Sequence, residues 1–242
     1  MEITTQHTVG QVVARDYRSA AVFSKAGIDF CCGGNRTIDE ACQQAGVAPA
    51  PLIDTLKTAL TTDQGTGEND YDAWPLDMLA DHIEDTHHRY VESRISEITP
   101  LLQKIKTVHG DRHPELARIM DLFTEAGGEL TLHMKKEELM LFPFIRRMAQ
   151  AQRQGEPLPP SRFGTVANPI AMMEHDHDGE GERFRQIAAL SGNYTPPSDA
   201  CNTYRVTLAL LQEFEADLHL HIHLENNILF PKAVQMESEL SS

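Results

Sequence analysis

Apolar residues recur at steps of three and four along most of the chain beyond residue 74, and this spacing predicts four long amphipathic helices. Stretches rich in proline, glycine and serine join the second helix to the third and the third to the fourth. Long helices with such joins are typical of an up-down bundle, and the sequence has little strand signal. We therefore predict an all-α fold. The four predicted helices cover residues 75–107, 113–150, 168–191 and 198–236.

The first 60 residues predict a small helical N-terminal domain. Two Thr-x-x-Gln/Glu sequences in it have the spacing of capping boxes, which mark helix starts. Between those two starts lies a glycine-containing loop with the adjacent cysteines Cys31 and Cys32. Residues 61–74 are polar and contain glycine, which is typical of a linker, and the bundle domain is predicted over residues 75–237. The capping boxes pair Thr8 with Gln11 and Thr37 with Glu40.

One motif occurs twice in the bundle region: a histidine, a glutamate four residues later, and then Leu-Phe-Pro. On a helix the histidine and the glutamate project from one face, and both continue the apolar seam that predicts the core. A buried carboxylate without a partner costs roughly several kcal/mol, so a metal ion shared by the two glutamates would account for them. The prolines discourage further helix beyond each motif. The two pairs are His133 with Glu137 and His221 with Glu225.

The other two helices each supply one histidine. His177 lies on the seam of the third helix. In the first helix, His87 continues the earlier part of the seam and His88 the later part, so the pattern leaves these two nearly even. The spacing of the repeated motif weakly favours His88.

Four imidazoles and two carboxylates suit two first-row transition-metal ions, each bound by two histidines and bridged by both glutamates. Mixed nitrogen and oxygen ligation with open positions favours iron or manganese over structural zinc.

The remaining histidines and cysteines have simpler expected positions. His109, His219 and His223 are expected at the surface, whereas Cys42 and Cys201 are expected to be buried.

Composition narrows the class of partner. A formal net charge of −15 argues against nucleic acid, because a phosphate-binding face needs clustered Lys and Arg. No apolar run approaches the length of a membrane span, and the N-terminus lacks the basic start and apolar core of a secretory signal. We therefore expect a cytoplasmic protein that does not bind membranes. Four unevenly placed cysteines are too few for a disulfide framework.

The chain resembles the hemerythrin-like di-iron proteins and, more narrowly, the iron–sulfur cluster repair family, also called the repair of iron centres family. The resemblance covers nearly the whole chain. It rests on Asp29-Phe-Cys31-Cys32-Gly-Gly, on Met173-Glu-x-x-His177-Asp and on the two His-x-x-x-Glu motifs. It implies a hemerythrin-like four-helix bundle holding two carboxylate-bridged, non-haem iron ions, oxo-bridged when oxidised. The iron ligands that it implies are His88, His133, Glu137, His177, His221 and Glu225, with His88 in place of His87.

Gly181 departs from the pattern of oxygen-carrying hemerythrins. Those proteins have a fifth histidine at this position, one turn after the position of His177, and glycine has no side chain to bind a metal. We therefore expect more open coordination, into which a small diatomic or an exchangeable ligand can enter. The resemblance implies repair of iron–sulfur clusters damaged by nitrosative or oxidative stress, by iron donation or by handling of nitric oxide. Its implied partners are damaged iron–sulfur proteins, with nitric oxide or dioxygen as the small ligand.

Two other functions remain open: binding or sensing of nitric oxide or dioxygen, and reduction of nitric oxide by an oxidoreductase. A reductase would need an external electron donor, because the sequence has no glycine-rich nucleotide fingerprint. The family motif makes Cys31 and Cys32 candidates for redox chemistry or iron transfer, and the helix start at Thr37 would lower a thiol pKa if the loop folds toward it. Glu129 and Glu174 are candidates for orienting ligands, and exposed positions on a helix face are an alternative of at least equal weight. A homodimer is a further expectation.

Overall fold

The computed structural model describes residues 3–61 and 70–241, and nearly all of the regular structure in these ranges is helical. Apart from one antiparallel bridge between Thr8 and Thr37, no β-structure occurs in these ranges. This confirms the all-α prediction. The first four helices are α1 (Val9–Arg15), α2 (Arg18–Lys25), α3 (Ile38–Ala45) and α4 (Pro49–Thr61). The later helices are α5 (Leu76–His82), α6 (Arg89–His109), α7 (Glu115–Lys136), α8 (Phe142–Gln154), α9 (Ala167–Leu190), α10 (Asn202–Leu224) and α11 (Phe230–Leu240).

Both predicted capping boxes are present. The Thr8 hydroxyl accepts the backbone N–H of Gln11, and the Gln11 side chain accepts the Thr8 N–H in return. Thr37 and Glu40 make the same reciprocal pair at the start of α3. Each box satisfies two backbone donors that the first turn of a helix leaves without partners. Of the predicted linker, residues 62–69 lie outside the described part of the chain, and Tyr71–Ala73 form a short 3₁₀ helix.

Three π-helical turns interrupt the long helices of the bundle region. They cover Ile83–His88, Glu137–Leu141 and Glu225–Leu229, and each contains a predicted metal ligand. The helix continues past both Leu-Phe-Pro motifs, as the predicted ranges 113–150 and 198–236 require, although proline disfavours it. At each motif the N–H of the phenylalanine before the proline donates to the glutamate carbonyl five residues earlier, and α8 or α11 follows directly. Such a turn relaxes the α-helical bonding pattern just where proline lacks its own donor.

The chain consists of two compact units. One unit consists of Met1–Ala80, Ile145–Pro160 and Leu220–Ser242, and its fully buried side chains include Val9, Phe23 and Leu56.

The other unit consists of Asp81–Phe144 and Ser161–His219. Its core contains a cluster of aromatic rings. Phe184 stacks on Phe214 at 5.3 Å between centroids, and Phe123 meets Phe214 edge-on at 5.4 Å. Across the described residues, no helix combines the length and the apolar character that crossing a membrane requires.

Candidate metal centre

All six predicted metal ligands are buried, with at most 2 % of any of them exposed. Histidine and glutamate are seldom buried to this degree without partners, so six together indicate a polar site inside the fold. The π turns place three of them and the α-helices the other three. His88, Glu137 and Glu225 lie on π turns, and His133, His177 and His221 lie on α7, α9 and α10.

Three imidazoles gather around Glu137. The Nε2 atoms of His88 and His133 each lie 3.4 Å from Glu137 Oε2. His177 Nε2 lies 3.0 Å from His133 Nε2, so its ring points to the same place. The four-residue spacing of His133 and Glu137 therefore does bring their side chains together, as the helical pattern predicts.

The second motif has the same local geometry. His221 Nε2 lies 3.1 Å from Glu225 Oε1, and neither side chain is more than 1 % exposed.

The ligand atoms of the six residues form two overlapping groups of four. Within each group all of the atoms lie within 4.8 Å of one another. Both glutamates belong to both groups, whereas each histidine belongs to only one. Two ions that each bind two imidazoles and share two carboxylates require this arrangement. The groups are His88, Glu137, His221, Glu225 and His133, Glu137, His177, Glu225.

Hydrogen bonds on the outer side of two rings determine which nitrogen faces inward with a lone pair. His88 Nδ1 lies 3.0 Å from Glu138 Oε1, and His133 Nδ1 lies 3.4 Å from Asp176 Oδ2. A carboxylate accepts, so each Nδ1 carries the proton and each Nε2 of the neutral ring presents a lone pair. Those lone pairs face an oxygen of Glu137. Acceptors that converge in a buried space repel each other unless a cation lies among them, so the donor set fits metal ions.

Both outer carboxylates are held in the ionised state. Burial opposes ionisation of Glu138, but hydrogen bonds from Lys135 and His88 lower its pKa below the usual value. Asp176 behaves alike, because Lys136 and His133 outweigh the effect of burial on its pKa.

These outer partners are not the ones that the sequence suggested. Of the two alternatives for Glu129 and Glu174, the structure bears out exposed positions on the helix face. Glu138 directly follows the ligand Glu137, and Asp176 directly precedes the ligand His177. Direct sequence adjacency to a ligand is the signal that marks both acids.

The π turn Ile83–His88 explains why His87 and His88 looked equivalent in the sequence. One extra residue in a helical turn shifts the buried stripe by one position, so both adjacent histidines are buried. Only His88 belongs to a group of potential metal ligands. His87 Nδ1 instead lies 3.0 Å from Asp217 Oδ1.

The position of the missing fifth histidine, Gly181, is buried in α9. The preceding residue, Glu180, is also buried and forms a close pair with Arg183. Burial raises the pKa of Glu180 despite that pair. The apolar seam does not select this carboxyl group, although it lies three residues after His177 and therefore near the same helix face.

Cys31 and Cys32 form a third group of potential ligands together with Asp29. Asp29 Oδ1 accepts the backbone N–H groups of both cysteines at 3.1 and 3.0 Å, and the two sulfur atoms lie 3.9 Å apart. Hydrogen bonding with Cys32 and burial raise the pKa of Cys31 well above its usual value. The expectation that the start of α3 would lower a thiol pKa is therefore wrong for Cys31.

Three expectations about exposure are also wrong. His223 is 1 % exposed, because its ring lies against Tyr17 and Phe30, and burial lowers its pKa to about 4. His109 is buried, with Nε2 3.2 Å from the sulfur of Cys201. Cys201 is exposed rather than buried. Cys42 is buried as predicted.

Two family models match separate parts of the chain. Residues 5–60 match the ScdA_N family, described as a domain of unknown function, and residues 79–233 match the hemerythrin HHE cation binding domain. An iron-sulfur cluster repair protein YtfE of Musicola paradisiaca is 33% identical over 233 residues, covering 96% of this chain and 98% of that protein. An iron-sulfur cluster repair protein ScdA of Staphylococcus haemolyticus is 32% identical over 230 residues, with 95% and 99% covered. A YtfE of Yersinia pseudotuberculosis serotype O:1b is 35% identical over 227 residues, with 91% and 93% covered.

Proposed function

Because this chain belongs to the family of iron–sulfur cluster repair proteins, we propose that it restores damaged iron–sulfur clusters with two iron ions bound at the candidate metal centre. The observation that carries the proposal is the pair of overlapping groups, which share Glu137 and Glu225. Nitrosative and oxidative stress are the proposed sources of damage. The proposed clients are damaged iron–sulfur proteins in the cytoplasm.

The donor set supports iron over a structural zinc ion. Each ion would receive two imidazoles, two bridging carboxylates and no thiolate, whereas structural zinc sites are built mainly from cysteine thiolates. The same four donors leave two positions open for an ion that prefers six ligands. Gly181 adds no further ligand on α9. When bound, the iron pair supplies open coordination for nitric oxide or dioxygen and an exchangeable metal for a damaged cluster.

The protein residues then have distinct roles. Glu137 and Glu225 supply the negative charge that offsets the ions, and their complete burial keeps that attraction strong. Glu138 and Asp176 hold His88 and His133 in the tautomer that presents Nε2. If iron is donated, it is the cargo, and Asp29, Cys31 and Cys32 form the candidate thiol site for its transfer.

Repair can be tested with a dehydratase whose [4Fe–4S] cluster has been damaged by nitric oxide. The protein is loaded anaerobically with ferrous iron, and the recovery of dehydratase activity is followed. We expect recovery with the wild type and none with Glu137→Ala or Glu225→Ala. Glu182→Ala is the matched control, because it removes an exposed glutamate from α9 that contacts Arg185 and Gln186.

The main alternative is reduction of nitric oxide with electrons from an external donor. A loaded protein that consumes nitric oxide catalytically and leaves the dehydratase inactive would replace the repair proposal with this one. A loaded protein that binds nitric oxide stoichiometrically, without turnover or repair, would indicate a binding or sensing function.

A further inference from the structure

The loop that carries the cysteine pair is hydrogen-bonded to the π turn that carries Glu225. Asn227 lies in the turn Glu225–Leu229, two residues after that glutamate. Its side-chain nitrogen donates to the backbone carbonyl of Cys31 at 3.1 Å and lies 3.4 Å from the carbonyl of Phe30. Carbonyl oxygens only accept, so these contacts place the amide nitrogen toward the loop. One side chain thus connects the cysteine loop with the backbone of a candidate metal ligand.

The same amide also contacts a buried histidine one turn earlier. Asn227 Nδ2 lies 3.2 Å from His223 Nδ1, and the His223 ring lies 6.2 Å from the ring of Phe30. His223 itself lies between the candidate ligands His221 and Glu225 in the sequence. The Asn227 amide therefore also contacts this loop indirectly, through the His223 ring that lies near Phe30. Its two hydrogens suffice for Cys31 and His223.

Two glycines make room for Asn227. A β-carbon on either Gly10 or Gly34 would overlap its side-chain oxygen. The two glycine backbones are joined directly, because the Gly10 N–H donates to the Gly34 carbonyl at 2.7 Å. Glycine is the amino acid that has no β-carbon, so the close approach of these two backbone segments to Asn227 depends on glycine at both positions.

We propose that Asn227 is a positioning residue that couples the Cys31–Cys32 loop to Glu225. The coupling rests on the proposed function, because it requires iron at Glu225. Iron bound by Glu225 restricts the π turn, the turn restricts Asn227, and the amide then holds the cysteine loop in place. Coupling between two sites is reciprocal, so a change in the cysteine loop also alters the affinity for iron. The state of the thiols thereby controls how tightly the metal centre holds its iron.

The first test measures how iron affects the thiols. Cys32 is half-buried, and its alkylation by iodoacetamide is followed by mass spectrometry with and without ferrous iron. We expect iron to slow alkylation by about fivefold or more in the wild type, which is the lower end of typical couplings. The effect disappears in Asn227→Ala. The matched control is Asn226→Ala, which removes the same group one residue earlier in the same π turn and keeps the effect.

A reciprocal measurement uses the alkylated protein. Its affinity for ferrous iron, measured by competition with a chelator, is expected to be about fivefold lower than that of the untreated protein. In Asn227→Ala, alkylation leaves the iron affinity unchanged. Iron that bound directly to the cysteines would protect them equally in both proteins, so persistence of protection in Asn227→Ala would overturn the coupling.

Gly34→Ala approaches the same contact from the loop and provides a second variant if Asn227→Ala does not fold. It is expected to lose the coupling while circular dichroism shows native helix content. A wild type that binds two iron ions but alkylates at the same rate with and without them overturns the coupling alone. A wild type that binds no iron overturns the proposed function, and the coupling with it.

Discussion

Replacing Glu138 tests the claim that outer carboxylates prepare the histidines for iron. Glu138 accepts from His88 Nδ1 on one oxygen at 3.0 Å and from Lys135 on the other at 2.6 Å. In Glu138→Gln the side chain keeps its shape but has only one oxygen, so one of the two donors then faces an NH₂ group. The negative charge that favours a proton on His88 Nδ1 is also lost.

The expected cost appears in iron affinity. Loss of an outer partner of a metal-binding histidine typically lowers metal affinity about 10- to 100-fold, which corresponds to about 1.4–2.7 kcal/mol. The dissociation constant for ferrous iron would be measured anaerobically by competition with a chromophoric chelator. Native helix content is checked by circular dichroism, because the substitution lies inside a π turn.

Glu92→Gln is the matched control for this experiment. Glu92 also contacts Lys135, at 3.1 Å, but its side chain is 45% exposed. Its replacement is expected to change iron affinity by less than about threefold, since exposed ion pairs contribute little. An affinity loss below about threefold in Glu138→Gln, or an equal loss in both variants, would refute the role assigned to the outer carboxylate.

Three further predictions concern stability. Ferrous iron at about 100 times its dissociation constant stabilises the fold by about 2.7 kcal/mol for each ion bound, which raises the Tm by about 5–11 °C per ion. Glu137→Gln should abolish this rise in a thermal scan. Burial lowers the pKa of His223 from its usual 6.5 to about 4. As the pH falls from 6.5 to 4, the unfolded chain takes up a proton at this histidine and the folded protein does not, so the free energy of unfolding of the iron-free protein falls by about 3 kcal/mol. Urea unfolding should show that the free energy of unfolding falls less steeply with decreasing pH in His223→Gln than in the wild type. His175 is exposed, so His175→Gln should match the wild type. Thr37→Ala removes a helix cap and should lower the free energy of unfolding by about 1 kcal/mol; an unchanged urea midpoint would contradict the capping box.

Periodicity was sufficient for the parts of the candidate centre that lie on one helix face. His133 and Glu137, and likewise His221 and Glu225, are four residues apart, so local geometry alone brings each pair together. The seam of the third helix similarly selected His177, which is buried. These predictions depend only on the regular α-helix, which the sequence pattern reports directly.

Departures from the regular helix could not be predicted in the same way. The π turn at Ile83–His88 adds a residue, and a pattern of fixed period cannot place both His87 and His88 in the core. The predicted helices run past Pro143 and Pro231, but a pattern of fixed period does not show the π turns that precede these prolines.

Contacts between distant parts of the chain are the other feature that the sequence pattern cannot predict. His223 lies on the predicted polar side of its helix, yet Tyr17 and Phe30 cover it. Asp176 reaches His133 from another helix, and Cys201 is exposed although it is expected to be a small buried residue of a helix. Burial, exposure and contacts of this kind depend on tertiary packing, and the pattern of residues within one helix carries no information about it.

Metal content after anaerobic loading with ferrous iron tests the central claim most directly. The protein is separated from free iron, and iron is quantified per chain together with its Mössbauer spectrum. The six buried ligands predict about two iron ions per chain in the wild type, in one coupled pair, and fewer than about one in Glu137→Ala and Glu225→Ala. One iron or none in the wild type, or two isolated ions that persist in both variants, would contradict a shared carboxylate-bridged centre.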